Sequence, residues 1–165
     1  MKLPRFIVRY LDRLAASRPP DEIIGRNQRS RAPHKGPPVE RPFLRRWLVI
    51  PKNRLFNIYY HNFIADDEDR ALHDHPWANA SCVTHGQYRE ILPHPNPIGP
   101  WHYKNRIVRP GQWVFRRATD AHRVELIGGE PSWSLFLTGP ITNTWGFHCP
   151  PGWITHREFH DRGGC

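Results

Sequence analysis

The sequence has no long hydrophobic run, and no stretch approaches the roughly 18 consecutive apolar residues of a membrane-spanning helix. Its first residues, MKLPRFIVRYLDRLAAS, carry charges every few positions, so we expect neither a membrane span nor a secretory leader. There are only three cysteines, Cys82, Cys149 and Cys165, odd in number and far apart. We therefore expect no disulfide framework and no cysteine-based zinc site, and we predict a cytoplasmic setting.

Helical periodicity is also scarce, because 18 prolines and 12 glycines interrupt the chain and argue against a helical bundle. From residue 43 onwards, short segments rich in β-branched and aromatic residues alternate with turn sequences. Strands without crossover helices pair antiparallel, so we predict an all-β, antiparallel jelly-roll barrel. The predicted strands cover residues 44–50, 55–63, 72–84, 87–92, 101–108, 112–116, 122–127, 133–138 and 142–147.

The N-terminal region has a different composition. Residues 3–16 place apolar side chains at helical spacing and predict a short amphipathic helix. Residues 17–42 are rich in proline, arginine and polar residues and predict a linker or a loop wrapped over the body. We therefore divide the chain into a helix and basic arm, residues 1–42, and a barrel domain, residues 43–165.

Positive charge is concentrated at the N-terminus. The net charge is +9, and residues 1–46 hold 12 basic and 4 acidic residues, which leaves +8 there and +1 in the remainder. Such an arm attracts phosphates, so a nucleic acid or other phosphate-rich partner for residues 1–46 is one hypothesis. The simpler interpretation is a solvated extension, since no known nucleic-acid-binding motif accompanies the charge.

The pattern His73-Asp74-His75 is the most informative local feature of the chain. Residues two apart in a strand share a face, so the two imidazoles would lie side by side with Asp74 on the other face. His122 opens a later predicted strand and shares its face with core-like aliphatic residues. Three inward histidines make a metal site with open positions, whereas the alternative is three satisfied polar residues without a metal.

The segment LHDHPWANASCVTHG, residues 72–86, resembles the first short motif of the cupin superfamily. That motif reads His-x-His, three or four residues, usually Glu, six residues and Gly. His73, His75 and Gly86 fit it, whereas Asn79 stands where the Glu normally lies.

The segment GQWVFRRATDAHRVEL, residues 111–126, resembles the second cupin motif, with Gly111 at its start and His122 as the ligand. The usual Pro-x-Gly turn is replaced here by residues 118–120. The resemblance implies a β-barrel with a three-histidine site, similar in ligand set to the thiol dioxygenases. Glu90 is the only plausible fourth ligand.

Candidate substrate-binding residues come from predicted strand faces and from the motif itself. Tyr60 and Asn62 share one face, and Trp77 follows His75 on its face. Arg116 and Arg117 lie on opposite faces, so one of them would point inward and could bind an anion. The predicted substrate-binding set is Tyr60, Asn62, Trp77, Asn79 and Arg117, and the sequence assigns no catalytic residue.

The resemblance implies a divalent metal, with Fe(II) favoured and Ni, Mn or Zn also compatible. The function expected first is a non-haem Fe(II) oxygenase, a cupin dioxygenase acting on a small polar or anionic substrate. Two alternatives remain open: a metal-dependent isomerase, and a non-catalytic cupin that binds a small molecule or sugar. Pairing of edge strands into a homodimer is also implied by the family.

Overall fold

The computed structural model describes residues 2–25, 29–31, 39, 41–67, 71–94, 103–150 and 152–165. Its helices are α1, Arg5–Ser17, and α2, His156–Asp161. The strands in the first half of the chain are β1 Glu22–Gly25, β2 Arg29–Arg31, β3 Pro42–Leu48, β4 Asn57–Phe63, β5 Leu72–His73 and β6 Asn79–His85. Those in the second half are β7 Tyr88–Pro93, β8 Tyr103–Val108, β9 Trp113–Arg116, β10 Arg123–Leu126, β11 Ser132–Thr138, β12 Gly146–Cys149 and β13 Gly152–Thr155.

All strand pairings are antiparallel, which confirms the predicted fold class. One sheet has the order β2-β1-β3-β4-β11-β6-β9. Two three-stranded sheets, β10-β7-β8 and β13-β12-β5, are joined by an isolated bridge between His73 and His122. The bridge makes them one second layer, and the first core cluster lies between the layers. It contains Val83, Tyr88, Val108, Val114, Val124 and Leu126.

Every predicted strand overlaps an observed one, and most boundaries agree within two residues. Residues 101 and 102 of the strand predicted over 101–108 lie outside the described residues. Two predictions differ more. The strand expected over residues 72–84 is divided into β5 and β6, because Pro76 cannot donate a ladder hydrogen bond. The strand expected over 142–147 begins later, at Gly146.

Helix α1 covers the outer face of the seven-stranded sheet, and the prediction of an amphipathic helix is confirmed. Its apolar stripe, centred on the fully buried Leu11, packs on Trp47, Tyr60 and Leu135. The Tyr60 hydroxyl donates to Asp12 Oδ1 at 2.8 Å. This hydrogen bond connects the helix to the sheet.

Neither of the two described helices is long and apolar enough to cross a membrane.

Residues 17–42 contribute β1 and β2, so part of the predicted linker is sheet. β1 pairs with β3, with Glu22 opposite Arg46. Both ends of β1 are buried, so this segment is an integral strand of the sheet, whereas its polar composition predicted a linker or loop. Residues 26–28, 32–38 and 40 of that prediction lie outside the described residues. The division of the chain at residue 42 stays a prediction, although α1 and β1 both contact the sheet that follows it.

The C-terminal segment returns to the barrel through β13 and α2. A disulfide joins Cys149 to Cys165, whose Cα atoms lie 5.5 Å apart. The expectation of no disulfide was wrong, because cysteines 16 residues apart in sequence meet where α2 folds back beside β12. Cys82 is free and buried. Since disulfides are rare in reducing compartments, the cysteines no longer support a cytoplasmic prediction.

Candidate metal centre

Three imidazoles converge between the two layers. His73, His75 and His122 each offer one ring nitrogen, and these nitrogens all lie within 4.8 Å of one another. The Nε2 atoms of His75 and His122 are 2.8 Å apart. His75 follows β5 in an extended course, held by its N–H donating to the Ala118 carbonyl at 2.9 Å. The structure thus brings the three predicted residues to one point.

Asp74 lies on the opposite face, as the strand alternation predicts. Its carboxylate is buried and accepts hydrogen bonds from the Gly146 N–H at 2.7 Å and from Trp153 Nε1 at 2.9 Å. Asp74 therefore holds the β12–β13 hairpin against β5 and does not reach the histidine cluster.

Gly86 closes the first motif at the turn between β6 and β7. Its φ is +66°, and a Cβ there would lie 2.3 Å from the Pro131 carbonyl oxygen. Both the left-handed conformation and this close approach require glycine. The turn sets β7, and with it Glu90, beside the histidines.

Glu90 fixes the orientation of His122. Its carboxylate is completely buried, and Oε1 lies 3.1 Å from His122 Nδ1. That nitrogen has no other partner among the described residues, so the carboxylate is the group that can receive its proton. With Nδ1 protonated, the lone pair of His122 is on Nε2 and faces the cluster, an arrangement common behind metal-binding histidines.

Two arginines hold the Glu90 carboxylate in its charged form. Arg116 Nε donates to Oε1 at 2.7 Å, and Arg106 Nε donates to Oε2 at 2.6 Å. Burial alone would raise the pKa of Glu90, but the hydrogen bond from His122 and the charge of Arg116 outweigh it and place the pKa well below its usual range. Glu90 was the weak candidate for a fourth ligand, and the structure places it behind His122 instead.

His75 and His122 are neutral at physiological pH. Burial, followed by the charge of Arg116, lowers the pKa of His122 to about 3. Burial, followed by the charges of His122 and His73, lowers the pKa of His75 well below its usual value. Metal ions bind the neutral form of imidazole. The Nε2 atoms of His75 and His122 are 2.8 Å apart, so without a metal ion their lone pairs repel each other unless one nitrogen carries a proton that the other accepts. The donor set therefore fits a borderline divalent metal.

An aromatic wall stands beside the cluster. Trp77 stacks on His75 with ring centroids 4.8 Å apart, and Phe136 lies 5.7 Å from Trp77 and 6.4 Å from His75. Of the predicted substrate-binding residues, Trp77 is thus the one in contact with a histidine of the cluster. Asn79 is buried nearby, and its Oδ1 accepts from Arg116 Nη1 at 3.2 Å.

Tyr60 and Asn62 do not line this space, which corrects their expected position. They share the face of β4 opposite to Tyr59 and His61, and Tyr60 packs under α1. Alternation could not identify the inner face, because α1 buries the outer face of the same strand.

The inward arginine of β9 is Arg116, whereas the predicted Arg117 is exposed. Arg116 is held by Glu90, Asn79 and Ser81, and it is not free to bind a substrate. Arg117 and Asn79 line a surface groove of about 590 Å³ beside the centre, with Phe115 as an apolar wall. None of the three histidines lines that groove.

A second polar cluster, not predicted from the sequence, lies near the centre. His61 stacks on Phe136 with centroids 4.6 Å apart, and its Nε2 accepts from Arg46 Nε at 2.9 Å. Arg46 also pairs with the buried Glu22 at 3.0 Å. The only sequence signal was that Tyr59 and His61 are two residues apart in a predicted strand and so share a face. Because α1 buries the opposite face of β4 as well, that signal did not show which face points inward.

The site and fold together define a small all-β protein, a double-layered barrel with three histidines meeting inside it. No protein-family model matches the chain, and no curated protein matches it. Among solved structures, the Fe(II) form of HppE in complex with substrate aligns with a TM-score of 0.50 and 10% identity, over 74% of this chain and 57% of that chain. The chain therefore shares its fold with that structure, and the two-layered antiparallel barrel confirms the predicted jelly-roll fold class.

Two further structures align at lower TM-scores. The DMSP lyase DddQ from Ruegeria pomeroyi DSS-3 has a TM-score of 0.47 and 16% identity, over 66% of this chain and 53% of that chain. A putative mannose-6-phosphate isomerase from Ralstonia eutropha JMP134 has a TM-score of 0.49 and 20% identity, over 64% and 93%. The present chain therefore aligns with about half the length of DddQ.

Proposed function

We propose that the protein is a metal-dependent enzyme, a non-haem Fe(II) oxygenase that holds its metal through His73, His75 and His122. The observation that carries the proposal is the convergence of three ring nitrogens within 4.8 Å, with Glu90 turning the lone pair of His122 toward the others. Three neutral ligands leave further coordination positions open, which is the arrangement of catalytic sites. When bound, iron(II) would supply those open positions and redox chemistry with dioxygen.

The surrounding residues support a small polar or anionic substrate. Trp77 and Phe136 form an apolar wall that would exclude water from one side of the centre. Arg116 and Arg46 are paired with the buried carboxylates of Glu90 and Glu22, so neither presents a free cation to the open side of the cluster. Arg117 is exposed in the neighbouring groove and could attract an anionic group there.

Nitric oxide tests for an iron centre with open positions without requiring the substrate. Protein loaded anaerobically with one equivalent of Fe(II) is exposed to nitric oxide, and the electron paramagnetic resonance spectrum is recorded. We expect the S = 3/2 signal of an iron–nitrosyl centre, and we expect it to disappear in His122→Ala. Absence of the signal from loaded wild-type protein would contradict the oxygenase proposal.

Two rival functions predict different results in the same preparation. A metal-dependent isomerase would consume no oxygen with any substrate, whichever of Fe, Ni, Mn or Zn it holds. A non-catalytic binding protein would show ligand-induced thermal shifts with sugars or small acids, without their consumption. Oxygen uptake that depends on both iron and an added small acid favours the oxygenase.

A further inference from the structure

The exposed face of α1 carries a row of arginines. Arg5, Arg9 and Arg13 are four residues apart, so they follow one another along the helix at intervals of about 6 Å. All three side chains are exposed, and within the described part of the chain none of them forms an ion pair. The one acid of the helix, Asp12, is engaged by Tyr60 and His85.

Two aromatic side chains accompany this row. Phe6 is 72% exposed and Tyr10 is 53% exposed, and each follows an arginine directly in the sequence. The two are four residues apart, so they form a second row beside the arginines. Exposed aromatic residues at this density are uncommon, because burial of such side chains is favourable.

The helix is fixed to the barrel and is not a mobile tail. Leu11 is 1% exposed, and Leu3, Ile7 and Leu14 pack on the same cluster of the sheet. A helix that binds a bilayer inserts its apolar face, but here that face is already buried against the protein. The geometry therefore disfavours a membrane and leaves a rigid surface of alternating cations and rings.

We infer that this face, formed by Arg5, Phe6, Arg9, Tyr10 and Arg13 and called the α1 face below, binds single-stranded nucleic acid. Guanidinium groups in a row pair with successive phosphates of an extended strand, and the adjacent rings give bases a stacking surface. The charge supports this partner, since residues 1–46 hold 12 basic against 4 acidic residues. Binding of this kind shows little sequence preference and weakens steeply with salt.

Fluorescence anisotropy with a labelled 20-nucleotide oligothymidylate tests the inference on the full chain. We expect binding whose affinity falls as salt rises. The variant Arg5→Gln/Arg9→Gln/Arg13→Gln should bind at least tenfold more weakly, and its salt slope should be smaller by about 2, since each phosphate contact with a single strand contributes about 0.7.

A matched control removes three exposed cations elsewhere. Arg54, Lys104 and Arg157 are exposed and lie outside α1, so their simultaneous change to Gln alters the net charge equally. This control should change the affinity by less than about threefold. Phe6→Ala/Tyr10→Ala should weaken binding about fivefold or more at constant salt slope, because the loss of stacking removes no phosphate contact.

Three results would overturn the inference. The first is no binding of the oligothymidylate by the wild type at low salt. The second is an equal loss in the control variant and the α1-face variant, which would indicate a diffuse charge effect. The third is tight binding to phosphatidylserine-containing vesicles without binding to the oligonucleotide. Circular dichroism of each variant shows whether it is folded. A variant with Arg5, Arg9 and Arg13 changed to Lys keeps the positive charges, and we expect it to retain most of the affinity.

Discussion

His73 and His122 exchange both of their backbone hydrogen bonds, and each N–H lies 2.9 Å from the other's carbonyl oxygen. This single bridge joins the two three-stranded sheets into one layer and holds the two imidazoles with centroids 4.9 Å apart. The positions of His73 and His122 are therefore fixed by backbone hydrogen bonds that do not involve their side chains. Substituting either side chain should remove a metal ligand and leave the bridge intact.

Glu90→Gln should weaken both the metal centre and the fold. The change leaves Arg116 buried with no anionic partner, which costs about 3–5 kcal/mol for a broken buried pair. It also removes the carboxylate behind His122, and such changes reduce metal affinity about 10- to 100-fold. Urea denaturation and a competitive metal titration measure the two effects.

Arg106→Gln is the control for Glu90→Gln. Arg106 contacts the same carboxylate, but its side chain is 49% exposed. Its removal should cost no more than about 1 kcal/mol and should leave metal affinity nearly unchanged. Equal effects of the two substitutions would show that the burial of the Glu90–Arg116 pair does not determine stability and metal affinity.

Tyr60→Phe should leave the metal centre unaffected. The Tyr60 hydroxyl bonds to Asp12 beneath α1, on the outer side of the sheet. Loss of that hydrogen bond should cost about 1 kcal/mol of stability. Trp77→Ala, by contrast, removes a ring that stacks on His75 and should change the absorption spectrum of the Co(II)-substituted protein. A spectral change in Tyr60→Phe and none in Trp77→Ala would contradict the assignment of inner and outer faces.

The metal-free protein should lose stability in acid. The pKa of His122 is about 3 in the fold and 6.5 in the unfolded chain, so the unfolded state binds more protons between these values. Stability should therefore fall as pH decreases from about 6.5 toward 3, by up to about 1.4 kcal/mol per pH unit for this one group. Glu90, whose pKa is lowered, adds to the loss below about pH 4.5.

Urea denaturation in the presence of a chelator, at several pH values from 7.5 to 4.5, measures this dependence. His122→Gln should show a shallower slope than the wild type, since one of the groups that must be protonated is absent. Identical slopes would mean that His122 is already accessible to protons in the fold.

Reduction of the Cys149–Cys165 disulfide should destabilise the protein. It closes a loop of 16 residues, for which the chain-entropy estimate is about 3 kcal/mol. Cys165→Ser should therefore lower the melting temperature, and a reducing agent should have no further effect on that variant. Cys82→Ser keeps the disulfide and serves as the control. Three titratable thiols in the denatured, unreduced wild type would show that no disulfide forms.

The metal-binding pattern could be read from the sequence because it rests on strand alternation. Two histidines separated by one residue must share a face in an extended chain, and Asp74 must oppose them. The closing Gly86 was equally informative, since the turn that it forms needs a positive φ, which favours glycine. These features depend only on local geometry.

The features that were missed depend on long-range packing. The inner face of β4 could not be chosen because α1 buries the other face, and the partners of Arg116 lie 26 to 37 residues away in sequence. The disulfide likewise depends on the return of α2 to β12. A single sequence contains no local signal for such contacts, since they arise from the order of strands in the sheets.

Metal content tests the central claim most directly. Three proteins are compared: the wild type, His75→Ala and the control His148→Ala. His148 is half-exposed and lies outside the cluster. Each protein is loaded anaerobically with Fe(II), desalted and analysed by inductively coupled plasma mass spectrometry. We expect about one metal ion per chain in the wild type and the control, and far less than that in His75→Ala. Equal metal content in all three proteins would contradict the assignment of the three histidines as a metal centre.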